Sequence, residues 1–303
     1  MNTLKFTRKT VKTTEQHNLS VNDVYHETIF GKNILFYHPI NLNIHITNLC
    51  DHDCPYCFVS NLGTSIYCEC SENVYQKSLV KIFDELKGKD IEVSLTGGEP
   101  TQRPDRLVYT MKLCQEYSFK CRTISTNGDY LLDKHKGKPI IQHLIDTGFV
   151  HNIELSLHDE ETDEKKLRRL VDFCELNEAE LRISKCLESN KIDNIGKIIK
   201  TLMYYNFHFH IDSIIFRELV NWPGPKLQDI MQDDYVKQTF KQIDFKQSAF
   251  YDVYVYEYDD FIVKHYVDKY NIKFPGALSF KDGILRLGFN GEIIRDFTED
   301  QND

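Results

Sequence analysis

The chain has 303 residues, of which 41% are apolar and 27% charged, with a formal net charge of −9 and nine cysteines. That length can bury a sizeable core, as one larger domain or one domain with an appendage. The acidic balance and the lack of any long basic run argue against duplex DNA or long RNA as a partner. There is no run of 18 or more apolar residues, so no membrane span is expected. The leading segment MNTLKFTRKTVKTTEQHN is polar and has no apolar signal core. The expected location is therefore cytoplasmic, where cysteines act as thiols or metal ligands rather than disulfides.

In chain order, residues 1–40 read as an N-terminal extension, with Ile34-Leu35-Phe36-Tyr37 as an edge strand. From residue 41 the periods switch between 2 and 3.6. Strands are predicted at 41–47, 91–96, 120–126, 151–158, 180–187 and 207–216. Helices are predicted near 72–88, 104–118, 138–147, 162–176 and 192–206. Alternating strands and helices predict βα units around a parallel sheet. Six such units are too few for a closed eight-fold barrel, so the predicted fold is α/β: an open (β/α)6 partial TIM barrel over 41–217. One face of each strand is apolar, as in Leu42/Ile44/Ile46 and Phe207/Phe209/Ile211. The other is polar: Asn43/His45/Thr47, Glu92/Ser94/Thr96, Glu154/Ser156/His158, Arg182/Ser184/Cys186 and His208/His210/Asp212. The third strand is ambiguous in parity. A closed barrel fills its interior with branched apolar side chains; polar inner faces predict instead a wide lumen for a polar ligand, or, on the plainer reading, wall groups that satisfy one another.

Residues 218–303 are expected to form a small C-terminal α+β cap. Trp222-Pro223-Gly224-Pro225 reads as a break, 226–243 as a helix and Asp252–Tyr258 as a tyrosine-rich strand. Residues 283–295 read as two short strands around the turn pair Asn290-Gly291.

The densest chemistry lies after the first strand. Cys50, Cys54 and Cys57 have the spacing C-x3-C-x2-C, and Thr96-Gly97-Gly98-Glu99-Pro100 follows the second strand. Structural zinc takes four ligands, often as paired C-x2-C sets, and no matching pair occurs here. Iron–sulfur clusters take cysteine thiolates, and three of them bind a [4Fe–4S] cubane with one iron left open. The alternative is a zinc loop with Cys68 or Cys70 as a distant fourth ligand. Cys114, Cys121 and Cys174 read as core or helix cysteines.

The cysteine spacing with Tyr56 beside the last thiol, together with Gly97-Gly98-Glu99-Pro100, resembles the radical S-adenosylmethionine (SAM) superfamily over residues 40–217. It is most similar to the subgroup of the molybdenum-cofactor GTP cyclase and the SPASM- or twitch-type peptide maturases. The resemblance implies a [4Fe–4S] cluster on Cys50, Cys54 and Cys57, whose open iron chelates SAM. It implies reductive cleavage to a 5′-deoxyadenosyl radical that abstracts hydrogen from a substrate, with the electron coming from a donor such as flavodoxin or ferredoxin. Tyr56 resembles the adenine contact, and Gly97, Gly98, Glu99 and Pro100 the segment holding the methionine ammonium. Glycines there would let the backbone approach the ligand. Thr126 and Asn127 resemble a strand-end Thr-Asn-Gly that faces SAM or substrate, Ser156 a ribose or carboxylate contact, and Arg182 and Ser184 a polar ligand-contacting pair. Residues 283–295 resemble the hairpin of a cluster-binding extension, but no cysteine follows Cys186, which excludes an all-cysteine auxiliary cluster. The hairpin, with Arg286 and Arg295, is expected to cap the barrel.

Cys186 has two readings, a small buried hydrophobe or a thiol that returns a hydrogen atom to a substrate radical. The expected substrate is polar: a ribosomally made peptide undergoing modification or epimerisation, or else a nucleotide- or sugar-derived small molecule. The reading from another class is a non-catalytic iron–sulfur or zinc module serving as a sensor or scaffold.

Overall fold

The computed structural model describes residues 2–9, 24–37, 39–57, 69–149, 152–157, 163–188, 191–211, 213–219, 224–247, 251–268, 277–287 and 292–298. Cys68, His158, Asp212, the Trp222-Pro223 break and the Asn290-Gly291 turn lie outside them. In chain order the strands and helices are β1 (Thr3–Arg8), β2 (Val24–Ile29), β3 (Lys32–Tyr37), β4 (Ile40–His45), α1 (Glu72–Leu86), β5 (Ile91–Thr96), α2 (Pro104–Glu116) and β6 (Lys120–Thr126). The short β7 (Lys134–His135) and β8 (Lys138–Pro139) precede α3 (Ile140–Asp146), β9 (Asn152–Ser156), α4 (Glu164–Leu176), β10 (Glu180–Cys186), α5 (Ile195–Phe209) and β11 (Ser213–Arg217). Then come α6 (Leu227–Ile230), α7 (Asp234–Thr239), β12 (Lys241–Gln247), β13 (Tyr251–Tyr258), β14 (Phe261–Asp268), β15 (Leu278–Lys281), β16 (Ile284–Leu287) and β17 (Ile293–Asp296). The mixed α/β architecture with a parallel-strand core expected from the periodicity is present.

The chain divides into two compact units. One contains Asp23–Ile153, Asn177–Glu180 and Phe274–Asp303. Its strands run in the order β6-β5-β4-β15-β16-β17, with β4, β5 and β6 parallel. Across β4 and β5 the register sets Leu42 beside Val93 and Ile44 beside Leu95, and Asn43 beside Ser94 and His45 beside Thr96. Alternation of period 2 thus gives one apolar and one polar face. β6 breaks the pattern because the register shifts between Val93 and Ser94. A bulge of this kind puts two residues of one strand opposite one of its neighbour, which explains the ambiguous parity of 120–126. α1 buries Val74, Tyr75, Leu79, Ile82, Phe83 and Leu86, an i, i+3/i+4 stripe, and the Ser71 hydroxyl caps its first turn by accepting from the Val74 N–H. β2 and β3 pair only with each other, as a hairpin. β15 adds parallel to β4, and β16 and β17 continue outward antiparallel.

The other unit contains Met1–Asn22, Glu154–Leu176 and Leu181–Lys273. Its strand order is β12-β13-β14-β1-β11-β10-β9, with β10 and β11 parallel and β1 antiparallel to both β11 and β14. The α+β segment after Arg217 therefore contributes strands to sheet edges in each unit. The predicted helix over 226–243 resolves into α6, α7 and β12; the Asp233 carboxylate ends the first helical stretch by capping the second, accepting from the Tyr235 N–H.

The predicted strand 207–216 requires a correction. Residues 207–209 are the last turn of α5, and the strand begins only at Ser213. The helix buries Ile195, Ile198, Leu202, Tyr205 and Phe209 at helical spacing, and that period runs through the Phe-His-Phe-His stretch, which alternates only by chance. Phe207, expected to face the helices, is 78% exposed. His208 lies in the final turn, and His210 is the C-cap residue at φ 54°. Neither belongs to a polar strand face.

Candidate functional site

The predicted site residues fall into two groups, one in each unit. In the first, the root of the cysteine loop and the turn after β5 are joined backbone to backbone. The Ile46 N–H donates to the Thr96 carbonyl at 2.8 Å, the Gly98 N–H to Thr47 at 2.7 Å and the Glu99 N–H to Leu49 at 2.6 Å. The β4–β5 ladder thus continues past the strand ends. A Cβ on Gly97 would stand 2.4 Å from the Thr47 carbonyl oxygen, and one on Gly98 would stand 2.1 Å from that of Leu49. Gly97 also adopts φ +136°, a conformation that side chains rarely take. The glycines are therefore required by the approach of two backbones within the chain, a reason the sequence reading did not anticipate.

Glu99 is 1% exposed. Its Oε1 accepts from the Thr101 N–H at 3.0 Å, from the Thr101 hydroxyl and from the Thr126 hydroxyl at 2.6 Å. Its Oε2 accepts from the Asn127 N–H at 2.7 Å. A carboxylate offers about four lone-pair sites, so Oε2 retains acceptor capacity. Pro100 is buried and opens a short 3₁₀ turn, Pro100–Gln102, which presents the Thr101 N–H to Glu99. Thr126 and Asn127, at the end of β6, hold Glu99 on its other side.

Cys50 is exposed, and Cys54 and Cys57 are half-buried. The Cys57 N–H donates to the Cys54 carbonyl at 2.9 Å, closing the turn between the last two thiols. Half-buried Tyr56 lies within that turn. Although the residue as a whole is exposed, partial desolvation of its sulfur raises the Cys50 thiol above the usual range, with smaller contributions from the Glu99, Asp51 and Cys57 charges, and a backbone hydrogen bond partly offsets it. Among the described residues, the set of three His, Cys, Asp or Glu donor atoms lying within 4.8 Å of one another is Asp51–His52–Asp129, not the thiols. Burial raises the Cys70 thiol to about 11.

Side chains from neighbouring segments hold the loop. Asp51 accepts from Tyr130 Oη at 2.9 Å and from Asn127 Nδ2 at 3.3 Å, and His52 Nε2 lies 2.7 Å from Asp129 Oδ2. Asn48 Nδ2 donates to Asp282 Oδ2, in the β15–β16 turn, at 2.8 Å. Glu69 and Arg106 engage the loop root from the far end. Of these partners Asn127 alone was singled out in the sequence; the others are common residue types whose role here arises from loop geometry.

The second group lies on one face of β9, β10 and β11. Arg217 Nη2 donates to both oxygens of Glu154, at 2.8 and 2.9 Å, and its Nε donates to Ser184 Oγ at 3.0 Å. Burial by itself raises the Glu154 carboxyl, but the Arg217 and Arg182 charges and the hydrogen bonds outweigh it and hold the group below the usual carboxylate range. Arg182 and Ser184 are buried, and Ser156 is half-buried. Cys186 is half-buried at the end of β10, opposite Arg217 in the register. Arg217 escaped sequence reading because the misplaced sixth strand gave its inner face to His208 and His210.

Comparison with known proteins identifies the family. The family described as "Radical SAM superfamily" matches residues 44–211, more than half of the chain. No curated protein matches. A solved structure described as "Crystal structure of BtrN in complex with AdoMet and 2-DOIA" aligns at 18% identity and a TM-score of 0.37, over 48% of this chain and 56% of that one. The chain thus spans little more than half the length of that protein, and the likeness is too low to carry an argument of its own. Residues 44–211 contain the cysteine loop, the Gly97–Pro100 turn and the Thr126-Asn127 strand end, and on this match the chain belongs to the radical SAM superfamily, whose enzymes use a [4Fe–4S] cluster and SAM.

Proposed function

We propose that the chain is a radical SAM enzyme holding one [4Fe–4S] cluster through Cys50, Cys54 and Cys57, with SAM bound beside it. The observation that carries this reading is the backbone join between the cysteine loop root and the Gly97–Glu99 turn, which leaves no room for a Cβ on either glycine. When bound, the cluster supplies the electron that cleaves SAM and so furnishes the 5′-deoxyadenosyl radical that takes hydrogen from the substrate.

The chain's own residues bind and orient. Glu99 Oε2 is the acceptor for the ammonium of SAM, and Thr126 and the Asn127 N–H fix that carboxylate so that it need not reorganise when the cation arrives. The backbone at Gly97, Gly98 and Pro100 lines the same segment. Tyr56 offers the adenine contact. Ser156, Arg182 and Ser184 meet ribose or carboxylate groups, with Glu154 and Arg217 fixing Ser184 and balancing Arg182. Cys186 is the thiol proposed to return a hydrogen atom; Cys186→Ala with unchanged turnover removes that role.

The substrate is polar, and a ribosomally made peptide is the first choice, ahead of a nucleotide- or sugar-derived molecule. Support comes from the polar strand faces of both units. A flavodoxin or ferredoxin is the proposed electron donor. Among the described residues no helix is long and apolar enough to cross a membrane.

Anaerobic reconstitution followed by SAM and a strong reductant tests the core of this reading. About four irons per chain and release of 5′-deoxyadenosine are expected. Iron without that product refutes the proposed reaction. Cys54→Ala is expected to lose both.

A further inference from the structure

The three cysteines follow one root, residues 46–49, which the side chains of Arg106 and Glu69 tie to residues 69–72. Arg106, in the first turn of α2, is 6% exposed. Its Nη1 donates to the Ile46 carbonyl at 3.0 Å, on the entering root. Its Nη2 donates to the Cys70 carbonyl at 3.4 Å and its Nε to Glu72 Oε2 at 2.9 Å, on the leaving root. The guanidinium lies over the Tyr75 ring, 4.4 Å from the centroid. Glu69 makes the reciprocal link. Its Oε1 accepts from the Thr47 hydroxyl and, at 2.8 Å, from the Asn48 N–H, while its Oε2 lies 3.3 Å from Arg103 Nη2 and 3.8 Å from Arg106 Nη1.

We propose that Arg106 and Glu69 are positioning residues for the cluster, closing the roots of the cysteine loop so that its thiols are held near their binding geometry before the cluster arrives. The inference rests on the reading that Cys50, Cys54 and Cys57 hold the cluster. Loop ordering opposes ligand binding unless something else has already supplied it. Here a planar guanidinium reaches acceptors on two roots at once, which an ammonium on a single stem cannot do. Besides the stacking on Tyr75 and the pairing with Glu69 and Glu72, the contacts go to backbone carbonyls and N–H groups at the loop ends. The packing of α2 rests on Leu107, Met111 and Cys114, all fully buried and none of them part of the clamp. The clamp can therefore be cut with the scaffold left standing.

The test compares the full-length chain with Thr47→Val, Glu69→Gln, Arg106→Lys and the Thr47→Val/Glu69→Gln double variant. Thr47→Val nearly preserves shape and removes only the hydroxyl, which keeps the test open should the Arg106 variant fail to fold. After anaerobic reconstitution, the measurements are iron per chain, the rate at which cluster absorbance is lost to EDTA, the electron paramagnetic resonance spectrum of the reduced cluster, and the melting of the cluster-free chain. The single variants are expected to melt close to wild type when cluster-free yet to lose the cluster roughly 10-fold faster or more, the usual scale for groups that orient metal ligands, with an altered spectrum. The double variant is expected to lose the cluster by less than the product of the two single effects, since the Thr47–Glu69 contact is shared, although the Thr47 hydroxyl also accepts from the Leu49 N–H at 3.1 Å. Loss rates within about twofold of wild type, additive effects, or cluster loss that merely follows a lowered melting temperature would each overturn the proposal. A wild-type chain that takes up no iron would remove the cluster reading itself, and the clamp with it.

Discussion

At Gly98 a single methyl group meets backbone that cannot yield. Its Cβ would meet the carbonyl oxygen and carbon of Leu49 at 2.1 and 2.6 Å, both backbone atoms with no rotamer to yield. Gly98→Ala is expected to cost about 3 kcal/mol in the cluster-free chain, read as a shift in the urea midpoint. Glu99 presents the complementary case. Donors from Thr101, Thr126 and Asn127 converge on its carboxylate. Glu99→Gln turns one acceptor into a donor facing donors, with an expected loss of about 2 kcal/mol. The same change removes the charge proposed to meet the SAM ammonium. Equilibrium dialysis with SAM should therefore show binding abolished in Glu99→Gln even where the cluster assembles; retained binding would remove Glu99 from that role.

Within elements, the Glu154–Arg217 pair crosses from β9 to β11 and satisfies Ser184 on the way. Glu154→Leu strands two guanidiniums beside an apolar side chain. Arg217 is one-third exposed and can partly turn to solvent, so a loss of about 3 kcal/mol, at the lower end for a broken buried pair, is expected in the melting curve. The Glu154→Leu/Arg217→Met double variant is expected to recover part of it. The ends of β5 and β6 were legible to the residue, because Gly97-Gly98 and Asn127-Gly128 punctuate the sequence just after Thr96 and Thr126. The α5–β11 boundary was not, since Phe207-His208-Phe209-His210 alternates while continuing a helix, and only packing against a core decides between the two. The cysteine triad stood out through its spacing together with Tyr56 and the Gly97–Pro100 segment, and it lies within the residues that the family model matches. Arg106 did not stand out, because an arginine two residues after a helix-opening proline reads as exposed until the loop folds back over it.

For the whole molecule, two buried histidines set the response to acid. Burial lowers His45 to about 4, helped by the Lys281 charge. Burial lowers His265 to about 4 against the opposing pull of Glu218, and the His265 Nε2 has no hydrogen-bond partner. The unfolded chain protonates both near 6.5 while the folded chain does not until about 4. Stability is therefore retained above pH 6.5 and lost as the pH falls from there towards 4, by about 3 kcal/mol for each group. Below that window Glu154 continues the trend, because its depressed carboxyl contributes stability that disappears only when it protonates. Denaturation midpoints measured from pH 7 to pH 4 should fall throughout, and His265→Leu should flatten the slope. An unchanged slope in that variant would place the acid sensitivity elsewhere.

The amides of Gly98 and Glu99 have a use of their own. Both donate to carbonyls in the cysteine loop root, so neither can exchange its hydrogen with solvent until that root swings away from the turn. In the cluster-free chain their deuterium uptake is a clock for loop opening that needs no iron, no cofactor and no turnover. It should run at the same rate for both amides, because a joint too tight for a methyl group opens as one body or stays shut.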